Sequence, residues 1–541
     1  MIEIPCCLSV EEDLVKARTV GRNDRRAFAT RSIEAGRVVL RNAPLAHVSH
    51  VAADQRCAYC LIPASGTNNG KLARCGRCKV TYYCSRTCQR SDFACHKVEC
   101  RAMTTTTTTT SNLLNNDTKL LLRTYGRLQT IDTECRKETT QQEHEDEACS
   151  VIHCGMDHFQ NMARFDNSVR MGAAMKEFQI EEQRQLEDIV SKAASILLTH
   201  SNKKTGVGDD DKISKQRQVI QSQLKDYTSV FRVNNFGIMD SMMNVVGGGV
   251  YPLGALLNHS CQPNCLLRFW IRPEQPPTME IVACRKIQSD EELTHSYVEL
   301  VAMTEQRQEQ LQGIYGFTCK CPRCQGHCTV QLPRELREPN LAMDLTMWLL
   351  QRHNPYFKSN KGKTASLTQV AIEEVELDAA IRVPLSDINN ALLSTVETLR
   401  QQAKQHMTSD NVEGELQCLE QAVGLLLSCG GSSLSRELYR VRGDLLGAYI
   451  VAGNVPRALA ECQHVVAFLC VALVHVPNHP LLGLQLFALG DLLEASLQEG
   501  GGGGEAQCIY EWASQILTVS QGRDSEMVRL LNDKLNRQNP N

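Results

Sequence analysis

The sequence has no unbroken apolar run long enough to cross a bilayer. Its first residues, MIEIPCCLSVEEDL, are acidic where a secretion signal would carry a basic start and an apolar stretch. No membrane span is expected, and a soluble, intracellular protein is. Neither sign of charge dominates, since 58 lysines and arginines against 61 acids give a formal net charge of −3. With no basic tract to serve as an electrostatic footprint, DNA binding is not expected. At 541 residues one small domain is excluded, and two to four folding units with at least one large core are expected.

What the chain has in quantity is cysteine, 25 residues of it. Many fall in Cys-x-Cys and Cys-x2-Cys spacings in a large chain without a secretion signal, which points to zinc instead of disulfides. The first group is Cys57-x2-Cys60, Cys75-x2-Cys78, Cys84-x3-Cys88 and His96-x3-Cys100, eight ligands and hence two tetrahedral ions. Close pairs let two side chains converge on one metal, and thiolates supply the compensating charge. With every position filled by protein, such ions are structural and leave no water to activate. A second group, Cys319-x-Cys321-x2-Cys324, offers three ligands and needs a fourth from elsewhere. The basic residues Arg74, Arg77, Lys79, Arg86 and Arg90 near the first group read as a solvated face, with a DNA reader as a lower alternative.

Residues 27–40, AFATRSIEAGRVVL, read as two short strands joined by a turn at Ala35-Gly36. The cysteine cluster interrupts this β-rich start. Residues 103–215 then form an insert of seven threonines, an acidic stretch at 143–147 and a Lys/Asp-rich loop at 203–212. Within it, 113–128 and 180–198 carry apolar residues at helical spacing. β-type composition returns over 231–297, and a short helix is expected over 304–315. Beyond Leu332 long helices take over. Leu438, Val441, Leu445, Leu446 and Tyr449 form one apolar face, Gly453-Asn454 breaks it, and Pro456 opens the next helix. The five glycines at 500–504 read as a loop between helices.

One stretch is specific: VYPLGALLNHSCQPNC at 250–265, followed by EELTHSY at 291–297 and Tyr315-Gly316-Phe317, with NNFGI upstream at 234–238. With a cysteine module inserted between two β-rich halves, this resembles the SET-and-MYND family of protein lysine methyltransferases over roughly residues 20–330, the insert apart. PNHPLLGLQLF at 477–487 and GRDSE at 522–526 resemble the family's tetratricopeptide-like tail and extend the likeness to most of the chain. The resemblance implies an α+β fold: a β-rich SET domain split by a MYND zinc module and a helical insert, a post-SET zinc site, and a C-terminal α-helical tetratricopeptide-like domain. The implied divisions are 15–50 for the first SET part, 57–100 for MYND, 101–215 for the insert, 216–300 for the SET core, 301–328 for the post-SET region and 335–541 for the helical domain.

The resemblance also implies ligands and roles. Interleaved binding would put Cys57, Cys60, Cys84 and Cys88 on one zinc and Cys75, Cys78, His96 and Cys100 on another, with Cys95 spare. Cys261 would complete a third site with Cys319, Cys321 and Cys324, Cys265 and Cys328 being alternatives. The cofactor would be S-adenosylmethionine, held by Arg22, Asn23, Asn234, Asn258, His259, Tyr297 and Phe317. Tyr297 would be catalytic, with Phe236 and Tyr315 as walls of a lysine channel. The implied partner is a protein substrate, histone or non-histone, with a proline-containing peptide at MYND. A monomer acting in nucleus, cytoplasm or both is expected. Asp24 and Arg26 stand where the family has glycines that let the backbone approach the cofactor, and a side chain there restricts it. A catalytically weak or inactive scaffold that recruits partners is therefore the alternative.

Overall fold

The computed structural model describes residues 8–10, 14–19, 25–67, 70–104, 115–138, 175–201, 210–333, 372–382, 390–428, 434–496 and 503–538. Two compact units emerge: residues 1–258, 267–294 and 312–317 form one, and 259–266, 295–311 and 318–541 form the other.

The first unit holds the β-structure. A four-stranded sheet runs in the order Leu8–Val10, Val38–Asn42, Thr278–Ala283, Cys265–Trp270, and a three-stranded sheet in the order Ala46–Ser49, Val245–Val250, Asn235–Met239. The hairpin expected over 27–40 is not formed. Arg25–Ala29 pairs with Val15–Thr19, whereas Val38–Asn42 pairs with Leu8–Val10 and Thr278–Ala283. Val38, Val39 and Leu40 are all buried, so this strand needs cover on both faces, which an isolated two-stranded hairpin cannot give. Gly247 in the middle strand VVGGGV allows close strand approach, because a Cβ there would lie 2.5 Å from the carbonyl oxygen of Val48.

Among the described residues four α-helices complete this unit: Arg86–Thr104, Asn116–Glu138, Met175–Ser201 and Asp210–Asn234. The stretch expected over 113–128 overlaps the second and that over 180–198 falls within the third; Leu121, Leu122, Ile189, Val190, Ala193 and Ala194 form a core with Ile220 and Leu224 of the fourth. The fourth helix corrects the sequence reading, which has a loop to Lys212 and β-structure from Phe231. Its buried residues Ile220, Leu224 and Thr228 recur every fourth position among polar neighbours, a face too narrow to stand out in the sequence. The threonines from 105 onward, the acidic stretch at 143–147 and residues 203–209 lie outside the described residues.

Among its described residues the second unit is mainly helical and carries the antiparallel pair Thr329–Pro333 and Ile372–Glu376. Asn390–Thr408, Val412–Ser428, Arg436–Val451, Val455–Ala472, Pro480–Ser496, Gly503–Gln521 and Glu526–Gln538 each pack on the next. The expected hairpin forms as its punctuation requires. Ser435 caps the first helix, Gly453 takes φ +69°, and Asn454 caps a second helix with proline in its first turn. Gly503 and Gly504 already belong to a helix, and 497–502 lie outside the described residues. Val455–Ala472 is long and apolar enough on average to cross a membrane, but Arg457 and Glu461 interrupt it, so it is not an unbroken apolar run, and 56% of it is buried within the protein as a core helix.

Candidate functional site

In the first unit the eight predicted ligands gather into two sets, Cys57, Cys60, Cys84, Cys88 and Cys75, Cys78, His96, Cys100, the ligand atoms of each set within 4.8 Å of one another. The short strands Ala73–Arg74 and Tyr82–Tyr83 turn the chain between ligand pairs, and the Arg86–Thr104 helix carries Cys88, His96 and Cys100. Cys60 and Cys84 sulfurs are 3.5 Å apart, Cys84 and Cys88 3.4 Å, Cys75 and Cys100 3.9 Å, and Cys78 Sγ lies 3.6 Å from His96 Nε2. These spacings exceed a disulfide bond and approach the roughly 3.8 Å edge of a tetrahedron with ~2.3 Å metal–sulfur bonds. Both sets could therefore hold zinc. The five basic residues noted nearby are all exposed.

Behind the second set lies a buried network with no counterpart in the sequence reading. His96 Nδ1 donates to Glu99 Oε1 at 2.7 Å, which turns Nε2 toward the cysteines. Arg123, from the Asn116–Glu138 helix, donates to Glu99 at 2.6 Å and to Asp92, which also accepts from the Tyr83 hydroxyl at 2.8 Å. Asp92, His96 and Glu99 are themselves close enough to suggest a metal, but the Arg123 guanidinium already bridges the two carboxylates. Burial pushes the Asp92 carboxyl up to about 6, against the pull of Arg123. Burial also acts upward on Glu99, but Arg123 and His96 outweigh it and hold that carboxyl low. Nearby His47, buried and bonded to the Tyr59 carbonyl at 2.7 Å, is lowered to about 3 by burial and then by Arg123.

The second unit brings Cys261, Cys319, Cys321 and Cys324 together, again within 4.8 Å, with the Cys261 and Cys324 sulfurs 3.5 Å apart. Of the two alternatives weighed for the fourth ligand, Cys328 instead faces Gln262 Oε1 at 3.4 Å, and Cys265 is buried outside the set. His259 joins this cluster to Tyr297. The Tyr297 amide donates to His259 Nδ1 at 2.9 Å, so a neutral imidazole carries its proton on Nε2, which lies 3.2 Å from Cys261 Sγ. The Tyr297 ring packs against His259 and His295, centroids 5.4 and 4.8 Å away. His295 is buried, which lowers it to about 4.

The first unit holds the remaining predicted site residues. Tyr251 is buried with its hydroxyl on the Pro277 carbonyl at 2.8 Å, and the Asn42 side chain accepts the Leu253 amide at 3.0 Å, fixing the turn that leads to Asn258. Asn258 Nδ2 donates to Glu292 Oε1 at 3.0 Å, while Arg26 meets Glu292 Oε2 at 3.1 Å. Phe236 stands edge-on to Tyr251 at 5.9 Å, and Tyr315 is tilted against Phe317 at 6.5 Å. Asn234 is buried at the end of its helix. Arg22 and Asn23, with Asp24, lie outside the described residues. Asn42 is absent from the sequence reading, and Glu292, though inside the 291–297 motif, and Arg26 carry no supporting role there, since nothing in the local pattern shows those contacts.

A family model for the SET domain matches residues 24–298. Histone-lysine N-methyltransferase ASHR1 of Arabidopsis thaliana is 24% identical over 513 residues, 94% of this chain and 92% of that protein. N-lysine methyltransferase SMYD2 of Homo sapiens is 25% identical over 50% of each chain. Histone-lysine N-methyltransferase SMYD3 of Mus musculus is 26% identical over 56% of this chain and 59% of its own. The chain thus spans nearly all of the first relative, half of the second and 59% of the third. A solved structure described as the SET domain of LSMT bound to lysine and AdoHcy aligns at 10% identity over 98% of this chain and 89% of that one, with a TM-score of 0.29, too low to carry argument.

Proposed function

The chain belongs to the SET-domain family, and from that premise we propose that it is an enzyme that transfers a methyl group from S-adenosylmethionine to lysine of a protein substrate, histone or non-histone. The observation that carries this reading is the SET match over 24–298, which includes the Asn258-His259 motif and Tyr297.

The residues present fit that cofactor by their chemistry. Asn258, His259 and Tyr297 are half-buried hydrogen-bonding groups, and Phe317 and Tyr315 are half-buried aromatics suited to a purine face. The one carboxylate touching Asn258, Glu292, is paired with Arg26. Arg26 therefore supports Asn258 through Glu292, which removes part of the case for a scaffold without catalysis. When bound, S-adenosylmethionine supplies a sulfonium methyl carbon as the electrophile. Asn258, His259, Asn234 and Phe317 serve to hold it, with Arg22 and Asn23. The Tyr297 hydroxyl orients the lysine amine and offers a hydrogen bond as charge moves, while its backbone is fixed by His259. Phe236 and Tyr315 wall a water-poor channel that favours the neutral amine and aligns it for in-line attack.

In this reading residues 57–100 are a MYND module with two structural zinc ions, Cys261, Cys319, Cys321 and Cys324 hold a third zinc behind the post-SET segment, and 335–541 form a tetratricopeptide-like domain lining a substrate groove. The MYND module takes a proline-containing peptide, and the protein acts as a monomer in nucleus, cytoplasm or both. The test is calorimetric titration of zinc-replete protein with S-adenosylmethionine, alongside Asn258→Ala, and transfer of labelled methyl to histones. Saturable one-site binding lost in the variant is expected. No binding at millimolar cofactor would leave the scaffold reading as the better one.

A further inference from the structure

Arg307 is the largest fully buried side chain among the described residues. A guanidinium cannot lose its protons, so it is buried only where anions and acceptors replace water. Its Nε donates to Cys261 Sγ at 3.3 Å, its Nη1 to the Ala302 carbonyl, and its Nη2 to Thr304 Oγ1 at 2.7 Å and Asp378 Oδ2 at 3.3 Å. Asp378 is shared: Arg323, also buried, reaches its Oδ1 at 3.1 and 3.2 Å, and the Thr304 amide reaches its Oδ2 at 3.0 Å. Two buried cations thus face one buried carboxylate, and one positive charge is left over. The groups that meet it are the Cys261 sulfur and, 4.0 Å from Nη2, the Cys324 sulfur. A zinc ion with four thiolates carries two net negative charges, so the centre and the arginine each need the other to be buried.

Cys261 receives a second donor as well, His259 Nε2, and the same imidazole accepts the Tyr297 amide through Nδ1. Arg307, Cys261, His259 and the Tyr297 backbone therefore form one continuous chain of contacts, anchored at its far end by Asp378 of the Leu377–Ala380 helix. We propose that Arg307 is a positioning residue: by donating to the Cys261 thiolate it holds the post-SET zinc in place, and through His259 it sets the position of Tyr297. The proposal rests on the zinc reading of this cluster. Nothing in the local sequence TEQRQEQL marks Arg307 for such a task.

The test uses the full chain with Arg307→Lys and Arg307→Met. Zinc per chain is counted by mass spectrometry, release to a chelating dye is timed, and the cobalt(II)-substituted protein is examined by absorption. Wild type is expected to hold three ions. In Arg307→Met one of the three leaves about 10- to 100-fold faster while the other two are unchanged. Lysine keeps the charge but loses the fork, so Arg307→Lys should fall between and carries the test if the methionine variant does not fold. In cobalt-loaded Arg307→Lys the sulfur-to-metal charge-transfer bands of one site move to lower energy, because a thiolate relieved of a hydrogen bond gives up its electrons more readily. A purely structural role would not move those bands. Three ions with wild-type release and unchanged bands overturn the proposal alone. Two ions in the wild type overturn the zinc reading of this cluster and the proposal with it.

Discussion

The two cysteine-rich regions solve the same problem in opposite ways. The first draws all eight ligands from residues 57–100, and its buttress, Arg123, reaches it indirectly, through Glu99 to His96. The second borrows Cys261 from a position far upstream of Cys319, and its buttress, Arg307, touches a ligand sulfur directly. The first is a self-contained module that happens to be braced. The second is a knot tying distant segments, and its His259 strand of the knot ends on Tyr297. A local cluster can be stable without informing chemistry elsewhere, whereas a cluster assembled from distant ligands fixes whatever those ligands are attached to.

The sharpest way to break this comparison is Arg123→Ala. It leaves Asp92 and Glu99, each 2% exposed, buried without their cation, and a cost of about 3–5 kcal/mol is expected. Thermal unfolding of the first unit should drop, with zinc lost from the His96 set; an unchanged melt would mean the network is not a brace. Next is a pair of ligand changes. Cys261→Ser should lower kcat for methyl transfer about 10- to 100-fold, by loosening Tyr297, while Cys75→Ser loses zinc but keeps kcat near wild type. Equal losses in both would erase the distinction between knot and module.

Acid titration probes the two regions through their buried histidines. His47 and His295 are held down at about 3 and 4, while an unfolded chain protonates histidine near 6.5. Above 6.5 each contributes its full stability. Below it the unfolded state binds the extra proton, and stability falls by about 1.4 kcal/mol per pH unit for each histidine until its folded value is reached. His47→Gln, which keeps a donor for the Tyr59 carbonyl, should flatten the slope for the first unit between pH 6.5 and 5 and leave the second unit's slope alone. Equal flattening in both units, or none, contradicts the assignment. The smallest effect is the control. Ser435→Ala removes a helix cap and should cost about 1 kcal/mol in the second unit, with zinc release from both regions unchanged.

The ligands were legible because metal chemistry imposes short, repeated spacings that a sequence displays. The motif residues 250–265 and 291–297 were legible as a pattern for the same reason of local order. The braces were not. Arg307 sits in a polar run where one more charge is unremarked, and its partners are near it only in the fold. Arg123 did leave a trace, since it follows Leu120, Leu121 and Leu122, all buried, and a charge at the end of such a run implies a buried partner. Arg26 stands where the family has glycine, and its contact with Glu292 is visible only in the fold. The Asp210–Asn234 helix was missed because its apolar face is little more than Ile220 and Leu224.

The distance of Cys261 from its fellow ligands also has a consequence in time. A polypeptide leaves the ribosome N-terminus first, so both ligand sets of the first module are complete once residue 100 has emerged, while Cys261 must wait for Cys319, Cys321 and Cys324 to be made. Asp378, which anchors Arg307, arrives later still. With zinc at these clusters as proposed, the growing chain would be metal-loaded at one end long before the support under Tyr297 can close, and a polypeptide stalled in between is expected to carry two zinc ions and no activity.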